Sequence, residues 1–406
     1  MRRCVLEEDV EKGAFASVRR GRSVRNIMDY LATEFATFEQ VPFCAVDALV
    51  LSEFCMVRME CILPAMKDEA TIGGRAAARL RALIPGKRGV CFKDALMAEH
   101  FGDMFTGLVP EKIKELMFAL AASPRFRDMR MEECASVFDE GACTQFAGLS
   151  FTYKNDFAFV GFRGTDCSFT GWREDFDMAY MDRVPAQESA VRYLDAAASR
   201  LPKRLFVGGH SKGGNLAMYA AAKCDPKVRA RIERVFSFDA PGFRRGAFDA
   251  GRNAELARLI DRYVPRESLI GMLMECPAPY SVVQSSESGA WQHDPFSWGV
   301  EGFDFARCSG LASSAQFAHD VIESWLARYD EHQARGIVDA LFEAMKASGA
   351  QDFSEFLKFG PKTLGLMRDA AKNSDEETRA ILTAAIGDLA EEVAHRALRG
   401  QGEAAK

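Results

Sequence analysis

The sequence predicts an α/β protein: a mostly parallel central sheet with helices on both faces, followed by a helical C-terminal region. Three observations carry that expectation. Short aromatic and β-branched runs alternate with helical periodicity between residues 146 and 283, the pattern of strands joined through helical crossovers. A glycine-flanked turn, Gly209-His210-Ser211-Lys212-Gly213, stands between one such run and an Ala-rich helix. Beyond about residue 312 only helical spacing is left.

In chain order, residues 1–25 read as a loose leader: Arg2, Arg3, Arg19, Arg20, Arg22 and Arg25 lack apolar periodicity. Residues 26–311 form the main domain. Its first apolar clusters, Ile27-Met28 with Tyr30-Leu31 and then Phe43 to Leu51, predict two helices. Residues 62–145 are a possible lid or helical insertion. Gly73-Gly74-Arg75 lacks the Gly-x-x-x-x-Gly-Lys-Ser/Thr spacing of a phosphate loop and reads as a solvated helix face. After Pro110, the residues Ile113, Leu116, Met117 and Leu120 have helical spacing. Phe146–Tyr153 and Phe157–Phe162, joined by Lys154-Asn155-Asp156, predict a hairpin. A helix over 189–200, a strand at Arg204–Gly208, a helix at Gly213–Lys223 and strands at Arg234–Phe238 and Tyr280–Val283 follow. In the helical region, 312–406, Phe317, Val321, Trp325 and Tyr329 share one face. Leu382, Ile386, Leu389 and Val393 share another, behind a Ser374-x-x-Glu377 capping box.

The balance of 52 Lys+Arg against 58 Asp+Glu, net −6, argues against a nucleic-acid or anionic-membrane footprint. The 11 cysteines are scattered, without zinc or redox spacing. No apolar h-region follows Arg2-Arg3 and no run of about 18 apolar residues occurs. The expectation is a cytoplasmic protein without an integral membrane span, metal or other cofactor. Nothing in the sequence speaks to its oligomeric state.

The glycine-flanked turn carries the chemistry. A serine at a sharp strand-to-helix turn is lifted out of the sheet, and side chains two positions away on either side would collide with the turn. Ser211 is the candidate nucleophile, and the Lys212 N–H at the helix N-terminus a candidate oxyanion donor. A serine needs a base. Of six histidines, His293 is the candidate: it lies in an irregular loop after the strand Tyr280–Val283. His210 adjoins Ser211 and reads as a packing residue. The acid that orients the base should fall between Ser211 and His293. Asp239, ending Val235-Phe236-Ser237-Phe238, is the first choice, and Glu267 the alternative. Asp294 adjoins its own histidine and reaches Nδ1 poorly. The loop Phe162-Arg163-Gly164-Thr165-Asp166 would supply the second oxyanion donor from the Thr165 N–H and hydroxyl, braced by an Arg163–Asp166 pair.

Phe162-Arg163-Gly164-Thr165-Asp166 together with Gly209-His210-Ser211-x-Gly213-Gly214 resembles the class 3 lipase branch of the α/β-hydrolase superfamily. A closer resemblance is to a bacterial domain-of-unknown-function family within it. That family is echoed by Asp29-Tyr30-Leu31, Val46-Asp47-Ala48-Leu49-Val50-Leu51, Gln145-Phe146-Ala147 and Gly209 to Ala217. It is further echoed by Asp239-Ala240-Pro241-Gly242-Phe243, Ser268 to Leu273 and Gln292-His293-Asp294. The resemblance covers about residues 26–305. It implies an α/β-hydrolase fold and a Ser/His/acid site carried by Ser211 and His293. It departs at the acid: where the lipase pattern has an Asp, this chain has Ser268, with Glu267 one residue earlier.

The expectation is a serine carboxylic-ester hydrolase, lipase- or esterase-like, acting on a small acyl-ester or lipid. The alternatives are a thioesterase or peptidase on the same fold, or a catalytically silent binding module. Met104, Phe105, Leu116, Met117, Phe118 and Leu120 would either line an acyl pocket or form ordinary core.

Overall fold

The computed structural model describes residues 24–63, 89–105, 108–248, 253–347, 352 and 376–403. The leader as far as residue 23, Gly73-Gly74-Arg75 and Ser374 lie outside the described residues. The protein has an α/β architecture around an eight-stranded sheet whose strands follow one another in chain order. They are β1 (Val90–Cys91), β2 (Arg130–Asp139), β3 (Thr144–Tyr153), β4 (Phe157–Phe162), β5 (Arg204–His210), β6 (Ile232–Phe238), β7 (Ile260–Pro265) and β8 (Tyr280–Val283). The β1–β4 pairings are antiparallel, and every pairing from β4 to β8 is parallel.

Alternation along the central strands splits the core in two. Phe157 and Phe159 of β4, Phe206 of β5, and Phe236 and Phe238 of β6 face one side. Ala158, Val160 and Phe162 of β4, with Leu205 and Val207 of β5 and Val235 of β6, face the other. Both faces are covered, so these strands are apolar throughout instead of alternating with polar residues. On the first face lie α1 (Ile27–Thr33), α2 (Ala45–Phe54) and α3 (Pro110–Ala122). α4 (Phe169–Asp177) follows β4. α5 (Pro185–Ala198) and α6 (Lys212–Lys223) cover the second face. Met104, Leu116, Met117 and Leu120 belong to the first core, while Phe118 is exposed.

Three strands of the sheet are absent from the sequence expectation. β1 is only two residues long. β2 carries Arg130, Glu132 and Glu133 and breaks register between Met131 and Cys134, so its alternation is hidden. β7 carries Asp261 and Arg262; the buried Arg262 guanidinium donates to the carbonyls of Ala278 and Gly271. Its charge is used inside the fold, which a hydropathy pattern does not reveal.

Among the described residues three C-terminal helices follow: α7 (Ser313–Leu326), α8 (Glu331–Ala347) and α9 (Glu376–Glu403). α9 is tied to the end of α7 by Trp325 Nε1 donating to Ala385 O at 3.0 Å and Tyr329 Oη to Asp388 at 2.6 Å. α8 rests on α4 through Phe342 against Phe169 and Phe176, and through an Arg173–Asp339 ion pair at 2.5 Å. Among the described residues no helix is long and apolar enough to cross a membrane, and no group of His, Cys, Asp and Glu could hold a metal ion.

Candidate active site

The site sits where β5 and β6 end. His210 and Phe238 are the last paired residues of these parallel strands, so Ser211 and Asp239 leave the sheet side by side. Both have positive φ, 57° for Ser211 and 41° for Asp239, a region costly for residues with a side chain. Their N–H groups continue the ladder, Ser211 to Phe238 O at 2.9 Å and Asp239 to Tyr263 O at 2.8 Å. Ser211 caps α6 with ψ −131°. The flanking glycines are a steric necessity. A Cβ on Gly209 would lie 2.3 Å from the Gly213 carbonyl carbon, and one on Gly213 would lie 2.2 Å from Phe162 O.

The structure brings His293 and Asp239 together: Nδ1 lies 2.6 Å from Asp239 Oδ2. The Asp239 carboxylate is buried, and its Oδ1 accepts from the Ser268 hydroxyl and, at 3.0 Å, from Gly271 N–H. A Cβ on Gly271 would come within 2.3 Å of that oxygen. Ser268, which stands where the lipase pattern has its Asp, therefore serves an acid one strand earlier. Glu267 does not meet the imidazole. Its carboxylate accepts from Gly289 N–H and Gln292 Nε2, holding the turn Gly289–His293. Trp298 Nε1 donates to Gln292 O at 2.8 Å, and Asp294 pairs with Lys112 at 2.6 Å. These bonds fix the loop that carries His293.

His210 does more than pack. Its Nε2 donates to the His293 carbonyl at 3.0 Å, and the two rings lie 4.6 Å apart. Nδ1 is 3.0 Å from Glu53 Oε1, close but out of hydrogen-bond alignment. Burial works against a charge on this ring, but the Glu53 carboxylate, with Asp239 and Asp294 further off, outweighs it and lifts the His210 pKa above its ordinary value. Adjacency to Ser211 concealed this role in the sequence.

The Gly164 loop lies against Ser211: a Cβ on Gly164 would be 3.1 Å from His210 O and 3.7 Å from Ser211 Cβ. Arg163 and Asp166 do not pair with each other. Arg163 donates to the carbonyls of Cys55 and Val57, and burial lowers its pKa. Asp166 caps Ser168 N–H at 2.9 Å. The Thr165 hydroxyl donates to Asp175 Oδ2. The Lys212 side chain is buried, with Nζ 2.6 Å from Glu174 Oε2 and 3.6 Å from Asp175 Oδ1. Asn215 ties α6 to the chain after Asp239, donating to Gly242 O at 2.6 Å and accepting from Gln187 at 2.8 Å.

A parallel sheet with a positive-φ serine at a strand-to-helix turn is the architecture of the α/β-hydrolases. Residues 120–343 match the model of the Mbeg1-like family, more than half of the chain, and the chain belongs to that family. No curated protein matches it. Among solved structures it is similar to M37 lipase, at 16% identity and a TM-score of 0.31, over 40% of this chain and 63% of that one. It is also similar to a native Rhizomucor miehei lipase propeptide complex, at 14% identity and a TM-score of 0.30, over 45% of this chain and 72% of the other. The chain thus spans less than two thirds of the first of these lipases.

Proposed function

We propose that the protein is a serine hydrolase of carboxylic esters, lipase- or esterase-like, working through an acyl-enzyme on Ser211. The observation that carries the reading is the 2.6 Å contact between His293 Nδ1 and buried Asp239 at the strand ends where the strained Ser211 turn emerges. An Nδ1–H held by a carboxylate leaves Nε2 as the basic nitrogen. In the proposed cycle Nε2 takes the Ser211 proton as Oγ attacks the acyl carbonyl. The N–H groups of Thr165 and Lys212 stabilise the oxyanion of the tetrahedral intermediate. The imidazolium then protonates the departing alcohol. Water, deprotonated by the same nitrogen, releases the acid and restores Ser211. Asp239 holds the imidazole in the required tautomer and orientation. A cytoplasmic setting belongs to this reading, supported by the scattered spacing of the 11 cysteines in the sequence.

A fluorophosphonate probe with peptide mapping tests the proposal. The expected result is stoichiometric labelling of Ser211, lost in Ser211→Ala together with hydrolysis of p-nitrophenyl esters. Undiminished turnover by Ser211→Ala would overturn it. An unlabelled wild-type protein without esterase activity would point to the silent binding module. Thioester and amide substrates compared with esters separate the remaining alternatives.

A further inference from the structure

A lysine in the first turn of a helix faces the positive end of the helix dipole, the wrong place for a cation. Lys212 stands there, with its side chain only 1% exposed. Burying an ammonium is costly unless charge and hydrogen bonds compensate it. Its partners show what the cost secures. Nζ donates to Glu174 Oε2 at 2.6 Å and to Gln145 Oε1 at 3.4 Å, and lies 3.6 Å from Asp175 Oδ1. Two of these partners grip the loop facing Ser211. Gln145 Nε2 donates to the Gly164 carbonyl at 3.4 Å, and Asp175 Oδ2 accepts the Thr165 hydroxyl. Glu174 is anchored in turn, its Oε1 accepting from Ala186 N–H at 2.8 Å and its Oε2 from Gln145 N–H at 2.9 Å.

We propose that the Lys212 side chain is the positioning group of the oxyanion site: through Gln145 and Asp175 it holds Gly164-Thr165 against the N–H of its own backbone. One residue then contributes a donor and fixes the spacing to the other. This rests on the serine-hydrolase reading. The ammonium touches no substrate; it sets a distance. Displacing a donor by even a fraction of an ångström costs a developing oxyanion much more than it costs a ground-state carbonyl. The loss therefore falls on the chemical step and not on substrate binding.

The test compares Lys212→Met, Thr165→Val and Gln145→Leu in the full chain, with ester kcat and KM and the rate of fluorophosphonate inactivation measured for each. Thr165→Val keeps the N–H and cuts only the hydroxyl tether; Gln145→Leu cuts the Gly164 tether. Each variant is expected to lose about 10- to 100-fold in kcat and in inactivation rate, less than removal of a whole oxyanion donor. KM should stay within about twofold, as for an interaction made in the transition state. Lys212→Met combined with Thr165→Val should be far from multiplicative, because both break one linkage. If Lys212→Met fails to fold, the two tether variants carry the test alone. Unchanged kcat in folded Thr165→Val and Gln145→Leu, or a loss confined to KM, would overturn the inference and leave the hydrolase reading standing. A wild-type protein that is neither labelled nor active would remove both.

Discussion

Two fully buried ion pairs lie on opposite faces of the sheet, and they are built on different principles. On the first face Arg125 meets Asp47, both side chains at 0% exposure. Its five donors all find oxygens: both carboxylate oxygens of Asp47 at 2.8 and 2.6 Å, and the carbonyls of Ala36, Val41 and Pro42 at 2.8 to 3.0 Å. Asp47 also accepts from Tyr30 Oη at 2.7 Å and Cys44 N–H at 2.9 Å. Phe38 lies 4.1 Å from the guanidinium. On the second face one ammonium serves two carboxylates, and Asp175 Oδ1 is buried without a hydrogen bond. The saturated pair pins a loop and two helices and ends there. The unsaturated pair is coupled to a strained turn. The second pair stands beside the turn that carries Ser211, and its hydrogen bonding is less complete than that of the first.

The sharpest way to separate the regions is by what each loses. At the Ser211 end, Asp239→Asn should lower kcat by roughly 10⁴-fold, because the imidazole is then held in the wrong tautomer, with little change in melting temperature. Glu267→Gln is its control. It keeps the acceptor for Gly289 N–H, and its kcat should stay within about threefold, as expected of a group outside the reacting set. Equal losses in the two variants would remove Asp239 from the proposed triad. At the other end, Arg125→Met leaves Asp47 buried without its partner and should cost about 3–5 kcal/mol of stability. Urea unfolding measures that cost, while kcat per folded molecule stays constant. Arg125→Met combined with Asp47→Leu should recover part of it, since the uncompensated charge is then gone.

The sequence was readable where local backbone geometry fixes the residue type. Gly209 and Gly213 had to be glycine, and Ser211 between them was visible without any tertiary information. The hairpin at Lys154-Asn155-Asp156 and the strand–helix alternation were visible for the same reason. The preference for Asp239 over Glu267 rested on strand ends alone; the donors that surround Asp239, from Ser268, Gly271 and His293, are long-range and were not legible. Asp29-Tyr30-Leu31 and Val46-Asp47-Ala48 carried family resemblance without a role. Their role is the Tyr30–Asp47–Arg125 cluster, whose third member is 78 residues from the second. Lys212 offered a local signal that went unused. A cation at a helix N-terminus needs a partner, and Glu174 and Asp175 stand on the helix that follows the Gly164-Thr165 loop.

The smallest effect probes the unsaturated pair by pH. Burial is the largest influence on Asp175 and raises its pKa from 3.8 to about 6; Lys212 and the Thr165 hydroxyl pull it down, and Glu174 pushes it up. Its side chain is 22% exposed, with Oδ1 buried. A carboxyl with a raised pKa binds more protons in the folded chain than in the unfolded one between those two values, so its linkage lowers stability as pH rises across that window. The penalty is absent below the unfolded value and complete above about 6. Asp175→Asn should remove this slope between pH 4 and 6 while keeping an acceptor for the Thr165 hydroxyl. A denaturant midpoint followed against pH in wild type and Asp175→Asn measures the difference. An unaltered slope in the variant would mean that Asp175 is solvated like a surface carboxylate, and that the two buried pairs differ less than their hydrogen bonds indicate.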